Sequence, residues 1–146
     1  QWTRGYIQSW NVALQKRLKG GWVAEAAYVA TRAVNQLGNL NRNAAPINGG
    51  NAGRPLAVQF GRFANTIQVT GLGTYKYDSL QTKLERRFAS GFQTLFAYTW
   101  SKNMGIAGNI NSDGGPRIHH PDHYRLNWAV SDLNIPHNFQ FSGIYE

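Results

Sequence analysis

The sequence predicts an all-β chain of antiparallel hairpins. Three observations carry that expectation: apolar residues at every second position, a hairpin unit that returns seventy residues later, and connections that are tight at one end and long at the other. With 146 residues and no cysteine, the chain has no disulfides and no thiol metal sites. It also lacks the run of about eighteen apolar residues that a membrane-spanning helix needs. Charged residues make up 15% and aromatics 13%. That many aromatics argues against disorder, and the charged share lies well under the roughly 25% of an ordinary water-soluble domain.

From Gln8 to Leu18 the even positions include Trp10, Val12, Leu14, Lys16 and Leu18, while the odd ones are Ser9, Asn11, Ala13, Gln15 and Arg17. This is the period of a half-exposed strand. Lys19-Gly20-Gly21 is a turn, glycine supplying the positive φ that a three-residue hairpin loop requires. Trp22 to Thr31 returns, with Trp22, Ala24, Ala26, Tyr28 and Ala30 on one face. In the second unit Leu80, Thr82, Leu84, Arg86 and Phe88 share a face, Ala89-Ser90-Gly91 turns, and Phe92, Thr94, Phe96, Tyr98 and Trp100 come back. The two superpose without a gap, Leu14 on Leu84, Arg17 on Arg87, Gly21 on Gly91 and Tyr28 on Tyr98.

Three-residue loops imply the pairs Leu18 with Trp22 and Phe88 with Phe92. Val12 then faces Tyr28, Leu14 Ala26, Leu80 Trp100, Thr82 Tyr98 and Leu84 Phe96, and aromatics fall opposite aliphatic or small partners. The other face carries Asn11, Gln15, Arg17 and Glu25, and Gln81, Lys83, Glu85 and Gln93. Long loops are expected at about 32–74, rich in Asn and Gly, and at 103–123. Short strands are expected at Leu56 to Phe63 and Thr66 to Thr70, brief pairing at Tyr124 to Val130, and renewed alternation at Phe139, Phe141, Gly143 and Tyr145. Residues 1–146 are read as a single β-sheet segment. No initiator Met is present and both ends read as mid-strand, which points to an excerpt from a longer chain.

Tight turns at one end, long loops at the other and two-faced strands are features of a transmembrane-type β-barrel. The eight steps from Trp10 to Leu18 span roughly 26 Å of strand, or about 20 Å of height after a ~40° tilt, which approximates a hydrocarbon band. Trp10, Tyr28, Tyr98 and Trp100 would then form a girdle near the long loops, and Trp22, Phe88 and Phe92 one near the turns, with Phe96 between. Lys16 and Arg86, equivalent by the repeat, would snorkel to lipid phosphates from the apolar face. A soluble sandwich shares the alternation, and there the aromatics would be core and the cations a solvated rim.

The runs YIQSWNVALQKRL, GWVAEAAYVATR, YDSLQTKLERRFASGFQTLFAYTWSK and YRLNWAVSDLNIPHNFQFSGIYE resemble the barrel region of TonB-dependent outer-membrane receptors. The likeness is to the Oar-like type with a carboxypeptidase-regulatory-like domain at its N-terminus, over about half of this chain. It implies uptake of a bulky nutrient, a metal chelate or an oligosaccharide, through a plugged barrel of about twenty-two strands. It also implies residence in the bacterial outer membrane, with membrane lipid, the remainder of the barrel chain and TonB as partners. Neither plug nor TonB-contact segment is recognisable in these residues.

The formal charge of +8 invites a nucleic-acid reading. Alternation puts most cations on the face opposite the aromatics, so no nucleic-acid partner is expected. His119, His120, Asp122 and His123 are metal-ligand types within five residues, a weak signal for a metal site in the second loop. Glu25 and Glu85 sit among Gln and Arg as structural ion pairs do, and no nucleophile motif or phosphate-binding loop is present, so neither catalysis nor a cofactor is expected. Two further classes remain open. One is a receptor-derived fragment whose open edges and greasy face assemble with other copies into an extracellular cell-surface fibre. The other is an extracellular module that binds glycan or metal through its long loops.

Overall fold

A computed structural model describes residues 3–89, 91–106, 117–118 and 121–146. The strands are β1 (Tyr6–Arg17), β2 (Trp22–Asn41), β3 (Ile67–Ala89), β4 (Phe92–Ile106), β5 (Arg117–Ile118), β6 (Trp128–Val130) and β7 (His137–Tyr145), with one helix, α1 (Pro55–Phe60). All seven strands belong to one sheet, ordered β1-β2-β3-β4-β6, with β7 also pairing β4. It is an antiparallel meander. The two-residue β5 is the exception, lying parallel to β2 through Asn39–Arg117 and Leu40–Ile118. No helix among the described residues is long and apolar enough to cross a membrane, which says nothing of crossing by strands.

The packing divides into two compact units. One comprises Gln8–Arg32, Lys76–Asn103 and Leu133–Glu146 and contains both tight turns. Its first hairpin closes as the loop length requires: the Leu18 N–H donates to the Trp22 carbonyl at 2.8 Å, and Gly20 and Gly21 take φ values of 73° and 77°. The register holds outward from the turn, where Gln15 meets Glu25 at 3.4 Å and Ser9 meets Thr31 at 3.1 Å. In the second hairpin Thr82 Oγ1 donates to the Tyr98 carbonyl at 3.3 Å, as the expected opposition of those residues demands. β7 lies along β4 with Phe92 on Tyr145, Phe96 on Phe141, Tyr98 on Phe139 and Trp100 on His137. The late alternation of aromatics thereby joins the aromatic face of β4.

The other unit comprises Gln1–Ile7, Ala33–Tyr75 and Met104–Asp132. Here the loop expected over 32–74 is corrected to a shorter one, because β2 continues to Asn41 and β3 begins at Ile67. The interruptions that suggested a loop are accommodated inside the strands. Asn35 takes a φ of +56°, and Gly71 and Gly73 lie so near β2 that a Cβ would stand 3.0 Å from the carbonyl oxygens of Asn35 and Gln36 respectively. These glycines make room for a neighbouring backbone rather than a turn.

The strand expected at Leu56 to Phe63 is corrected to a helix. Pro55 supplies a fixed φ at its start, and Gly61 in the left-handed region ends it, its N–H donating to the Ala57 carbonyl at 2.9 Å and that of Arg62 to Leu56 at 3.1 Å. The 103–123 loop is likewise shorter at its start, since β4 runs to Ile106 and there pairs with Trp128 of β6. Residues 121–127 form a 3-10 turn, so the pairing expected from Tyr124 begins only at Trp128. A small apolar core in this unit joins Leu40 and Ile106, with Leu72 and Tyr124 packed against it.

Candidate functional site

Within the unit that holds the tight turns, the two faces of the sheet differ in an unusual sense. The even positions of β1 to β4 carry the large apolar side chains, and these remain uncovered: Leu14 is 76% exposed, Trp100 57% and Phe88 52%. Trp10, Tyr28 and Tyr98 are exposed as well, while Trp22, Phe92 and Phe96 are half-buried. β7 adds Phe139 and Phe141, both exposed, the latter with its ring centroid 4.9 Å from that of Phe96. On the opposite face Ser79 and Ser101 are buried. Gln81, Lys83 and Glu85 are half-buried, Lys83 standing 3.7 Å from Glu25 and 3.6 Å from Glu85. No second sheet lies over the aromatics among the described residues, since all the strands belong to one sheet. A soluble sandwich would have buried them.

A contiguous greasy surface this large on a soluble monomer marks something that covers it. Strands whose large apolar side chains stand uncovered on one side, with polar side chains on the other and tight turns between them, suit a sheet bathed in hydrocarbon. The sequence profile of the outer membrane beta barrel domain matches residues 1–146. The chain belongs to that family. Its place is therefore the bacterial outer membrane. Comparison with curated proteins and with solved structures returned no match.

At the turn end of this outer membrane β-barrel domain, Lys16 is exposed on the apolar face. Arg86 behaves differently: its guanidinium lies 5.6 Å over the Phe92 ring, and its Nε is shielded from water without a hydrogen-bond partner. The repeat equivalence of the two cations therefore does not extend to their contacts, although Trp22 stands in the first hairpin where Phe92 stands in the second. At the other end Tyr98 Oη bonds His137 Nδ1 at 2.8 Å, with the rings stacked. That pairs a girdle aromatic with the first residue of β7.

The sequence reading missed one group altogether. Arg32, Lys76 and Asp78 fall at even positions, so they share the apolar face with the aromatics. Asp78 accepts from Tyr28 Oη at 2.7 Å and Arg32 Nη2 at 2.9 Å, and Lys76 Nζ stands 3.0 Å from its second oxygen. Arg32 also donates to the carbonyls of Thr31 and Tyr77, both at 3.0 Å, and lies 5.2 Å over the Trp10 ring. Extending the even-position alternation of Trp22 to Ala30 by one step, and that of Leu80 to Phe88 backward by two, would have revealed it. Assigning Arg32 to a loop concealed it.

Because Asp78 holds three partners while three-quarters enclosed, Asp78→Ala is expected to lower unfolding stability in lipid by about 1.5–3 kcal/mol, the range of hydrogen bonds to charged groups. Urea titration in vesicles measures it, and an unchanged midpoint would show the group to be ornamental.

Of the candidate metal ligands, His119 and His120 lie outside the described residues, as does the side chain of Asp122. His123 is exposed. Among the described residues no group of three or more His, Asp or Glu is arranged to hold a metal ion.

Proposed function

We propose that this domain is part of the wall of a TonB-dependent transporter that takes up a bulky nutrient, its aromatic face turned to lipid and its polar face to the lumen. The observation that carries the reading is strand length. A crossing strand needs about nine to eleven residues, whereas β2 has 20 and β3 has 23. The surplus, beyond Arg32 in β2 and before Lys76 in β3, belongs to the unit that carries the long loop and α1. Strands that continue far past the bilayer suit a wide barrel with a tall extracellular part, as large nutrient receptors have, better than a small barrel with short loops. The residue runs that resemble TonB-dependent receptors support the same reading.

In this reading the domain is not an enzyme. Its partners are outer-membrane lipid, the remaining barrel strands and, through the whole receptor, TonB. The outer sides of β1 and β7 have no neighbour among the described residues, and every residue of both strands is exposed. Open edges are not tolerated in lipid, so further strands must cover them. Uptake of metal chelates and oligosaccharides, compared between the native host and strains lacking this gene or TonB, tests the proposal. A compound whose uptake disappears in both deletion strains is the expected result. A compound lost without the gene but retained without TonB would reduce the domain to a passive barrel.

A further inference from the structure

The apolar face carries a groove that the uptake function does not use. It has a volume of about 600 Å³ and is lined by Tyr28, Leu80 and Trp100, with Asp78 and Lys102 at its charged margin and Pro136 on the side of the segment leading into β7. That segment is held in place by β4: the Ser101 N–H donates to the Pro136 carbonyl at 2.9 Å, Ser101 Oγ to the Ile135 carbonyl at 2.7 Å, and the Asn103 N–H to Asn134 Oδ1 at 2.7 Å. The groove wall is thus built by directed bonds. It is not a chance gap between mobile side chains.

We propose that this groove seats an acyl chain of a phosphorylated outer-leaflet lipid, with the lipid phosphate held at Lys102. The apolar lining excludes a polar occupant from the groove itself. The margin selects an anion: Arg32, Lys76 and Lys102 oppose the single carboxylate of Asp78, and that carboxylate is already engaged by Tyr28, Arg32 and Lys76. Lys102 is exposed and forms no ion pair among the described residues. Tyr28 on Asp78, Trp10 on Arg32 and Trp100 in the groove lining add side chains that favour the headgroup level. A greasy slot ending in surplus positive charge, on the face turned to lipid, is complementary to an amphiphile with an anionic head. The girdle at this end lies on the side of the long loops, which in such barrels face outward, so the leaflet concerned is the outer one, and diphosphoryl lipid A serves as the probe of a phosphorylated lipid there.

The inference rests on the orientation proposed above, aromatic face to lipid, and is independent of TonB. The full barrel-containing protein is placed in phosphatidylcholine nanodiscs carrying either diphosphoryl lipid A or the same lipid dephosphorylated, and retained lipid is counted by native mass spectrometry. Preferential retention of the diphosphoryl form is expected, and inorganic phosphate should not displace it. Lys102→Gln should weaken retention about fivefold, the effect of one cation at an anionic surface, while Lys16→Gln at the opposite girdle leaves it unchanged. Leu80→Trp fills the groove and should reduce retention of both lipids without altering charge. Heat-modifiable gel mobility verifies that each variant is folded.

Equal retention of the two lipids, or retention indifferent to both Lys102→Gln and Leu80→Trp, overturns the proposal. Displacement by millimolar phosphate would make the margin a free-anion site and overturns it too. Quenching by brominated lipid, read as the difference between the wild type and Trp100→Phe, separates the two levels. Absent quenching overturns the orientation itself, whereas quenching together with indifferent variants overturns only the groove.

Discussion

Leu84→Arg lowers the unfolding free energy of the domain in lipid by about 2–4 kcal/mol, the cost of a cation at mid-bilayer depth on the outside of a barrel. Leu84 stands midway between Leu80 and Phe88 on the aromatic face, as far as that face permits from either girdle. An arginine there has no interface within easy reach, unlike Lys16 and Arg86 one step inside the turns. The matched control is Gln81→Arg. Gln81 lies on the polar face, donating to Ser79 Oγ at 3.3 Å, and a cation there meets water in the lumen. Its effect should stay within about 0.5 kcal/mol, as for ordinary surface substitutions. Urea titrations of both variants in phosphatidylcholine vesicles give the comparison. Equal losses would mean that the two faces do not differ in solvent, and the barrel-wall orientation would fall.

The second large effect is expected in the other unit, at Asn43. This side chain is fully buried and organises the 42–66 loop. Its Nδ2 donates to the carbonyls of Arg62 and Ala64 at 2.9 and 2.8 Å, and its Oδ1 accepts from the Leu56 N–H at 2.9 Å. The loop base is closed by Asn41, whose Oδ1 accepts from the N–H groups of Asn43 and Thr66 at 3.0 and 3.1 Å. Arg54 ties the helix start to the same place, with Nη1 2.8 Å from both the Phe63 carbonyl and Asn65 Oδ1. Asn43→Ala strands one N–H and two carbonyls. At about 1–3 kcal/mol for each buried group left unpaired, it should lower the local opening free energy by on the order of 3 kcal/mol. Hydrogen exchange at the Leu56 and Thr66 amides reads that opening directly. The amides of β1 and of β4 beside β7 should keep their protection, and a global loss would show that the loop is integral to the sheet.

The hairpins were legible because everything that specifies them is local. Gly20 and Gly21 permit one turn and Gly91 the other. From a known turn the period-two rule places each side chain, so the Thr82 to Tyr98 and Gln15 to Glu25 oppositions follow by counting. The helix at Pro55–Phe60 was not legible in the same way. PLAVQF is a short apolar run that suits strand or helix, and the deciding contacts are the bond from the Leu56 N–H to Asn43, thirteen residues away, and the capping at Gly61. The extensions of β2 and β3 were hidden by their own Asn and Gly residues. Those residues weaken strand propensity in isolation, and only the close approach of Gly71 and Gly73 to the opposite backbone explains why they are there.

Taken alone, then, the sequence determined that the chain is a set of two-faced strands, where two of its turns fall, and which side of each strand is greasy. A side-chain period of two is a property of the extended backbone and needs no partner to be read. Only the tertiary structure decided that the greasy side stays uncovered, that an Arg32–Asp78–Lys76 group interrupts it, and that a structured loop replaces a long open one. Each of these depends on residues tens of positions apart meeting across strands, where the gain comes from desolvation and directed bonds between partners that no local pattern names.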